Sequence, residues 1–279
     1  MSTPPQTAAR TGEQTGRRRR DVRGYAVLDL GTVRTRSLTS GTFAIAERLS
    51  AVPAGAPGTT APSGLRWPIR HGVVADPAAC RRLVDIVLYD ARLAGAWPLE
   101  RILVGVPVAA TASERRSLRT AVIEAAECPV VLVEEPLAAA VGAGLDVTDP
   151  RPCLLLDVGA GVVEAVVIHD GAITDAVALQ LSATTRAGLP WPTVDSVVRM
   201  TAGLLHRMPA HLRATVRDGG LIVTGGGAGQ TRLLNRLRST LRMPVRVASE
   251  PAHATVYGLT HLCRQSGLTA RLAQGSRGS

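Results

Sequence analysis

Lysine is absent from this chain, and all 32 of its basic residues are arginine. Aromatic side chains are nearly as scarce, with three Tyr, three Trp and one Phe in 279 residues. A core of any size must therefore be built from Ala, Val and Leu. The four cysteines, Cys80, Cys128, Cys153 and Cys263, stand far apart in apolar settings with no Cys-x-x-Cys. That spacing excludes a Cys/His metal pattern and reads as small buried hydrophobes in a reducing compartment. No apolar run is long enough to span a bilayer, and the N-terminus lacks the apolar core of a secretory signal. Cytoplasmic residence is the expectation. Acidic residues are too few to balance the arginines, and the net charge is +10. Such a charge suits an anionic membrane surface or nucleic acid. The arginine-only bias, with abundant Ala, Gly and Pro, reads more plainly as codon composition and a solvated surface, and nucleic acid is not expected as a partner.

What is present is a globular composition, 46% hydrophobic and 19% charged, in a chain long enough for one large domain or two small ones. Residues 1–22 have almost nothing to bury and are expected to be disordered. Arg17–Arg20 within them offer a weak contact for anionic lipid, or simply a solvated tail. The informative stretch is LLLDVGAGVVEAVVI (154–168). It reads as a buried strand with Asp157 near its end, a turn in which Gly159 and Gly161 bracket Ala160, and a β-branched strand returning. The glycines admit positive φ and bring backbone N–H groups close to an anion. Asp157 is then placed to hold a metal ion over that anion. YAVLDLGTVRTR (25–36) repeats the design with Asp29 and Gly31. One Asp-x-Gly turn is weak evidence, but two such hairpins can face each other across one phosphate chain.

The remaining elements alternate. After the first hairpin a third strand is expected near 42–46, and a Pro/Gly-rich loop over 50–64. An amphipathic helix runs over 76–91, capped by Asp76. A strand over 101–108 leads to a helix opened by a Thr111/Glu114 capping box. The strand 130–133 ends in Glu134 and Glu135, and Pro136 opens a helix of small residues. The second hairpin is followed by a strand over 172–179, an irregular stretch over 181–192 and a helix over 193–206. A strand at 221–224 runs into Gly225, Gly226 and Gly227, then come a Leu-rich helix, a short strand at 245–247 and a last helix over 251–263. Strands alternating with helices give an α/β fold in two hairpin-plus-helix halves.

Five blocks carry a family resemblance: VLDLGTVRTR (27–36), PIRHGVVAD (68–76), VGVPVAATASERRSLRTAVIEAAECPVVLVEEPLAAAVGAGL (104–145), LLLDVGAGVVEAVVI (154–168) and LIVTGGGAGQTRLLNRL (221–237). Together they resemble bacterial actin-like ATPases of the MreB type, within the actin/Hsp70/sugar-kinase superfamily. The 104–145 block is the most specific. The resemblance implies an actin-like, ribonuclease H-like duplicated fold with two core lobes around a nucleotide cleft. Lobe I would span 23–148 and lobe II 149–249, with a helix over 250–265 returning to lobe I and a loose tail over 266–279. ATP and Mg²⁺ would lie between the hairpins. Gly31, Thr32 and Val33 would form the first phosphate loop, and Gly159, Ala160 and Gly161 the second. Asp29 and Asp157 would hold Mg²⁺ through its waters. Glu134 would orient the attacking water. Gly225, Gly226 and Gly227 would approach the adenosine, and Arg36 falls where actin has a basic residue near the phosphates. The same residues have plainer uses: a turn carboxylate at each aspartate, a tight strand-to-helix turn at the three glycines, helix N-terminal charge at the glutamates, and a surface strand position at Arg36.

The chain departs from the family pattern in ways that bear on mechanism. VGAGVVE stands where the family has IGGGTTE, so Ala160 replaces a glycine and Val162 and Val163 replace two threonines. Val33 replaces a smaller residue. The stretches between Arg36 and Pro68 and between Ile168 and Leu221 are short, as if both outer subdomains were trimmed. Two functions therefore compete. One is an ATP-binding, MreB-like cytoskeletal and cell-shape protein with weak ATPase turnover, associating with itself or another actin-like chain, in the cytoplasm or at the inner membrane face. The other is a degenerate actin-like module that docks onto a partner such as full-length MreB without turnover.

Overall fold

The computed structural model describes residues 24–42, 44–54, 64–93, 97–182 and 188–265. The tails expected at 1–22 and 266–279, the Arg17–Arg20 cluster and most of the 50–64 loop lie outside these residues. The first lobe opens with the hairpin β1 (Gly24–Leu30) and β2 (Arg34–Thr39), extended by an antiparallel β3 (Ala46–Leu49). The third strand starts later than 42–46 because the chain first turns: Ser40 N–H donates to the Tyr25 carbonyl at 2.9 Å and Thr42 N–H to the Thr39 carbonyl at 3.1 Å. Charged rungs such as Arg36 opposite Glu47 carry its pairing, so no apolar alternation marks it. Two-residue ladders follow, β4 (Val52–Pro53) with β5 (Leu65–Arg66) and β6 (Ile69–Arg70) with β7 (Val73–Val74). Helix α1 (Pro77–Leu93) is capped by Asp76, whose Oδ1 accepts the Ala79 N–H at 3.0 Å. Strand β8 (Leu99–Val106), helix α2 (Ala112–Ala126) with the Thr111/Glu114 box, β9 (Val130–Glu134) and α3 (Glu135–Gly142) complete the lobe.

The second lobe repeats the plan. Strands β10 (Cys153–Val158), β11 (Val162–His169) and β12 (Ala172–Gln180) are antiparallel neighbours. Helices α4 (Trp191–Arg207) and α5 (Ala210–Gly219) lead to β13 (Leu221–Thr224), α6 (Thr231–Leu241) and β14 (Val245–Val247). A 3₁₀ turn at Pro251–His253 starts the last helix, α7 (Ala254–Arg264). The sheet orders are β3-β2-β1-β8-β9 and β12-β11-β10-β13-β14, each with three antiparallel strands and two parallel ones. The chain has thus built one sheet twice, a duplicated α/β fold. Among the described residues no further sheet is inserted between β12 and β13.

Three apolar clusters hold the molecule together. Leu83, Leu88 and Val122 on α1 and α2 pack on one face of the first sheet. Val194, Leu204 and Leu237 on α4 and α6 pack on one face of the second. The third lies between the sheets, where Val27 and Leu103 of one and Leu155 and Val166 of the other close on Ala138 of α3 and Leu259 of α7. Helix α7 follows the second sheet but packs on β1 and β8 of the first, while α3 follows the first and reaches β10 and β11. The exchange is fixed by Arg101 donating to the Cys263 carbonyl at 2.7 Å and Arg264 to the Tyr25 hydroxyl at 2.9 Å. The four cysteines are free, and burial pushes the Cys80 thiol up to about 12, which leaves it unreactive. Among the described residues no helix is long and apolar enough to cross a membrane.

Candidate functional site

The two hairpin turns meet. A cavity of about 570 Å³ separates the β1–β2 turn from the β10–β11 turn, with the loop after β13 forming a third side. Close approach shapes both turns. A Cβ on Gly31 would lie 2.8 Å from the Arg34 carbonyl oxygen, and one on Gly159 would lie 2.7 Å from that of Val162. Neither glycine has positive φ, and nor does Gly161; space, not a left-handed backbone, demands them. Gly161 touches the opposite lobe, where a Cβ would collide with the Thr32 hydroxyl and sit 3.0 Å from His71 Cα. The β6–β7 turn staples this contact. Gly72 N–H donates to Thr32 Oγ1 at 3.0 Å, and His71 Nδ1 lies 3.0 Å from the Gly161 carbonyl oxygen. The HG pair of the 68–76 block thus bridges the two loops.

Four carboxyl groups are buried where the lobes meet, and three of them, Asp29, Asp157 and Glu135, line the cleft. Asp29 and Asp157, near the ends of the two central strands, are 7% and 6% exposed; Glu135 and Glu164 are 8% and 1% exposed. Burial pushes Asp29 up to about 6, partly offset by the Arg36 guanidinium and reinforced by Asp157. Asp157 is raised by burial and held back by the Thr224 hydroxyl, which donates to its Oδ1 at 2.7 Å. Burial, with Asp29 and Glu164 nearby, holds Glu135 well above the usual carboxylate range. Glu164 stands opposite Asp157 in the β10–β11 ladder, and burial carries it up to about 7. Its Oε1 accepts the Ala109 N–H from the first lobe at 3.2 Å, whereas its Oε2 and Glu135 Oε1 are buried without a partner.

Asp29, Gly31, Thr32, Val33, Arg36, Asp157, Gly159, Ala160, Gly161, Gly225, Gly226 and Gly227 all line this one cavity. Glu134 does not. Strand β9 ends at Glu134 and α3 begins at Glu135, so the adjacent carboxyls diverge. Glu134 pairs with Arg115 at 3.1 Å, and the same guanidinium holds the Ala110, Pro107 and Val108 carbonyls at 3.1 to 3.4 Å. Glu135 faces the cleft in its place, beside Gly105, where a Cβ would come within 3.0 Å of the Glu135 Cγ. Arg36 is also not the surface residue its strand position suggested, since its side chain is 14% exposed and paired with Asp29. The three glycines serve as a tight turn and as a wall together: Gly225 N–H donates to the Pro251 carbonyl at 2.8 Å and Gly227 N–H to that of Val158 at 2.9 Å. Sequence reasoning missed Gln230, whose Oε1 accepts the Leu189 N–H at 2.9 Å. No motif pointed to it.

The donor set suits phosphate better than a divalent ion. Narrow glycine turns from two lobes and an arginine form a cradle for a phosphate chain. The two aspartates do not make a ready Mg²⁺ site, because one is ion-paired with Arg36 and the other already accepts a hydroxyl. Among the described residues no group of three or more His, Cys, Asp or Glu side chains is placed to hold a metal ion.

Comparison with known proteins agrees with this architecture. The solved structure of MreB5 from Spiroplasma citri bound to AMPPNP superposes with a TM-score of 0.77 at 18% identity, covering 90% of this chain and 99% of that one. A MamK double helical filament gives a TM-score of 0.69 at 17% identity, covering 87% of this chain and 99% of that one. The cell shape-determining protein Mbl of Bacillus subtilis is 25% identical, over 68% of this chain and 76% of its own length. MreB of Escherichia coli is 37% identical over a shorter stretch, 36% of this chain and 29% of that protein. The family model for MreB/Mbl protein matches residues 63–186 and 182–270, which take in the buried Glu135 and Glu164, the second glycine turn and the triple-glycine wall. With an actin-like fold and a match running through most of both lobes, the chain belongs to the MreB/Mbl family.

Proposed function

We propose that the cleft binds ATP and that the chain works as an MreB-like cytoskeletal protein, associating with copies of itself or with another actin-like chain. One observation carries the reading: acid-tipped glycine turns from two lobes, Asp29 with Gly31 and Asp157 with Gly159, line a single cavity. The bound nucleotides of MreB5 and the filament of MamK support it by likeness. The triphosphate would run along the Gly31 and Gly159 turns, with the base toward Gly188, Leu189 and Gln230.

For hydrolysis the candidate is Glu135 rather than Glu134. Phosphoryl transfer asks the protein for positioning and charge balance more than for covalent chemistry. Glu135 lines the cleft with its Oε1 buried and unpartnered, so it is placed to accept a hydrogen bond from a water held in line with the terminal phosphate. Val162, which lines the cleft, offers no hydroxyl there, and turnover would be slow.

The test is a melting curve with and without ATP. Saturation at about 100 times Kd stabilises the native state by about 2.7 kcal/mol, a rise of about 5 °C for a chain of this size. Gly161→Val, which drives a side chain into Thr32, abolishes the rise. An unchanged melting temperature of the wild type at saturating ATP would sink the proposal and leave the fold as a docking module.

A further inference from the structure

The cation beside Asp29 belongs to the protein. The β1–β2 register sets Arg36 directly opposite Asp29, and the β2–β3 register sets Glu47 on its other side. Arg36 Nε donates to Glu47 Oε2 at 2.7 Å while Nη1 lies 3.4 Å from Asp29 Oδ2. Glu47 is itself held by Arg34 at 3.3 Å, so the guanidinium sits on a braced rung rather than on a mobile arm. Among the described residues Nη2 has no acceptor, and the side chain lines the cleft with both aspartates. Its charge also bears on Asp157, on the far wall.

A divalent ion in a phosphate site neutralises the β and γ oxygens. Mg²⁺ does this in strict octahedral geometry, keeping several waters that one or two carboxylates must accept. Here one of those carboxylates already accepts a guanidinium. A guanidinium can itself grip a phosphate through its planar fork without giving up a tightly bound water shell. We propose that Arg36 is the resident counter-cation of this cleft, gripping the terminal phosphates in place of a divalent ion, so that ATP binds almost as well without Mg²⁺ as with it. This rests on the nucleotide reading above and adds to it the form in which the ligand is taken, free ATP rather than only its magnesium complex.

The experiment is calorimetric titration of the full chain with ATP, once with Mg²⁺ in excess over nucleotide and once with excess EDTA. For the wild type, Kd is expected to change by less than about threefold between the two. Arg36→Gln should weaken binding by at least about tenfold in EDTA and regain most of it with Mg²⁺, while Arg36→Lys, which keeps the charge but not the planar fork, recovers only part of that loss in EDTA. The wild-type pair of titrations stands even if Arg36→Gln fails to fold once Asp29 loses its partner. Loss of about tenfold or more by the wild type in EDTA, with binding intact in Mg²⁺, overturns the inference and leaves the nucleotide reading standing. Wild-type-like binding by Arg36→Gln in EDTA also overturns it. Absence of binding in both conditions overturns the two together.

Discussion

At the scale of single residues, the carboxyls buried where the lobes meet are costly to the fold. Glu164 is 1% exposed with one oxygen unpartnered, and its pKa is carried up to about 7 by burial. Because the folded-state value lies above the unfolded one, the native state holds a proton that the unfolded chain has lost. Stability is then greatest below the unfolded pKa and declines as pH rises through about 7. Glu164→Gln removes this dependence and keeps an acceptor for the Ala109 N–H. Its melting temperature should match the wild type near pH 4 and exceed it at pH 8, by about 1–2 kcal/mol of stability. A gap that narrows with rising pH would contradict the assignment. The neighbouring glutamates separate by role. Glu135→Ala should stop phosphate release, whereas Glu134→Ala should leave it within a few-fold and loosen only the Arg115 contacts, as a phosphate-release assay would report. The sequence carried the pair but not which member faces inward, because the switch from strand to helix falls between them.

The elements add a constraint that composition hid. Helices α3 and α7 cross at Gly142 and Gly258, and the backbones themselves are in contact. A Cβ on Gly258 would collide with the Ala138 carbonyl and lie 3.0 Å from Gly142 N; one on Gly142 would collide with the Ala254 carbonyl and lie 2.8 Å from Gly258 N. In an exposed helix Gly→Ala gains about 1 kcal/mol. Here overpacking against rigid backbone reverses the sign, and Gly258→Ala should destabilise by about 3 kcal/mol, measured by denaturant unfolding. A stabilised Gly258→Ala would show that the helices are not so close. From the sequence, Gly142–Gly144 read as a helix stop, and α3 does end with Gly142 as its last residue; the second use of Gly142 depends on a partner more than a hundred residues away. The long amphipathic helices were legible because their apolar faces are continuous, as with Val194, Val197, Val198, Thr201, Leu204 and Leu205 on α4. Helix α5 was not, since it is short and its apolar face is little more than Leu212 and Val216, of which Val216 alone is fully buried.

For the whole molecule, duplication explains why the two facing turns are legible in the sequence. The two turns are local features with local signatures, and the repeated sheet order places them face to face. What local reading could not supply is the clasp between lobes: the β6–β7 turn on Thr32 and Gly161, and Ala109 on Glu164. These contacts are few and polar, whereas the α3/α7 core opposite them is broad and apolar. A ligand spanning both turns would favour one orientation of the lobes about that core. Stacking of subunits needs a repeated orientation, so assembly should follow nucleotide. Sedimentation is expected to pellet more wild-type protein with ATP than without it, and Gly161→Val, whose lobe cores are untouched, should pellet equally little in both. Equal pelleting of the wild type with and without ATP would uncouple assembly from the cleft, leaving the outer faces of the lobes to set it alone.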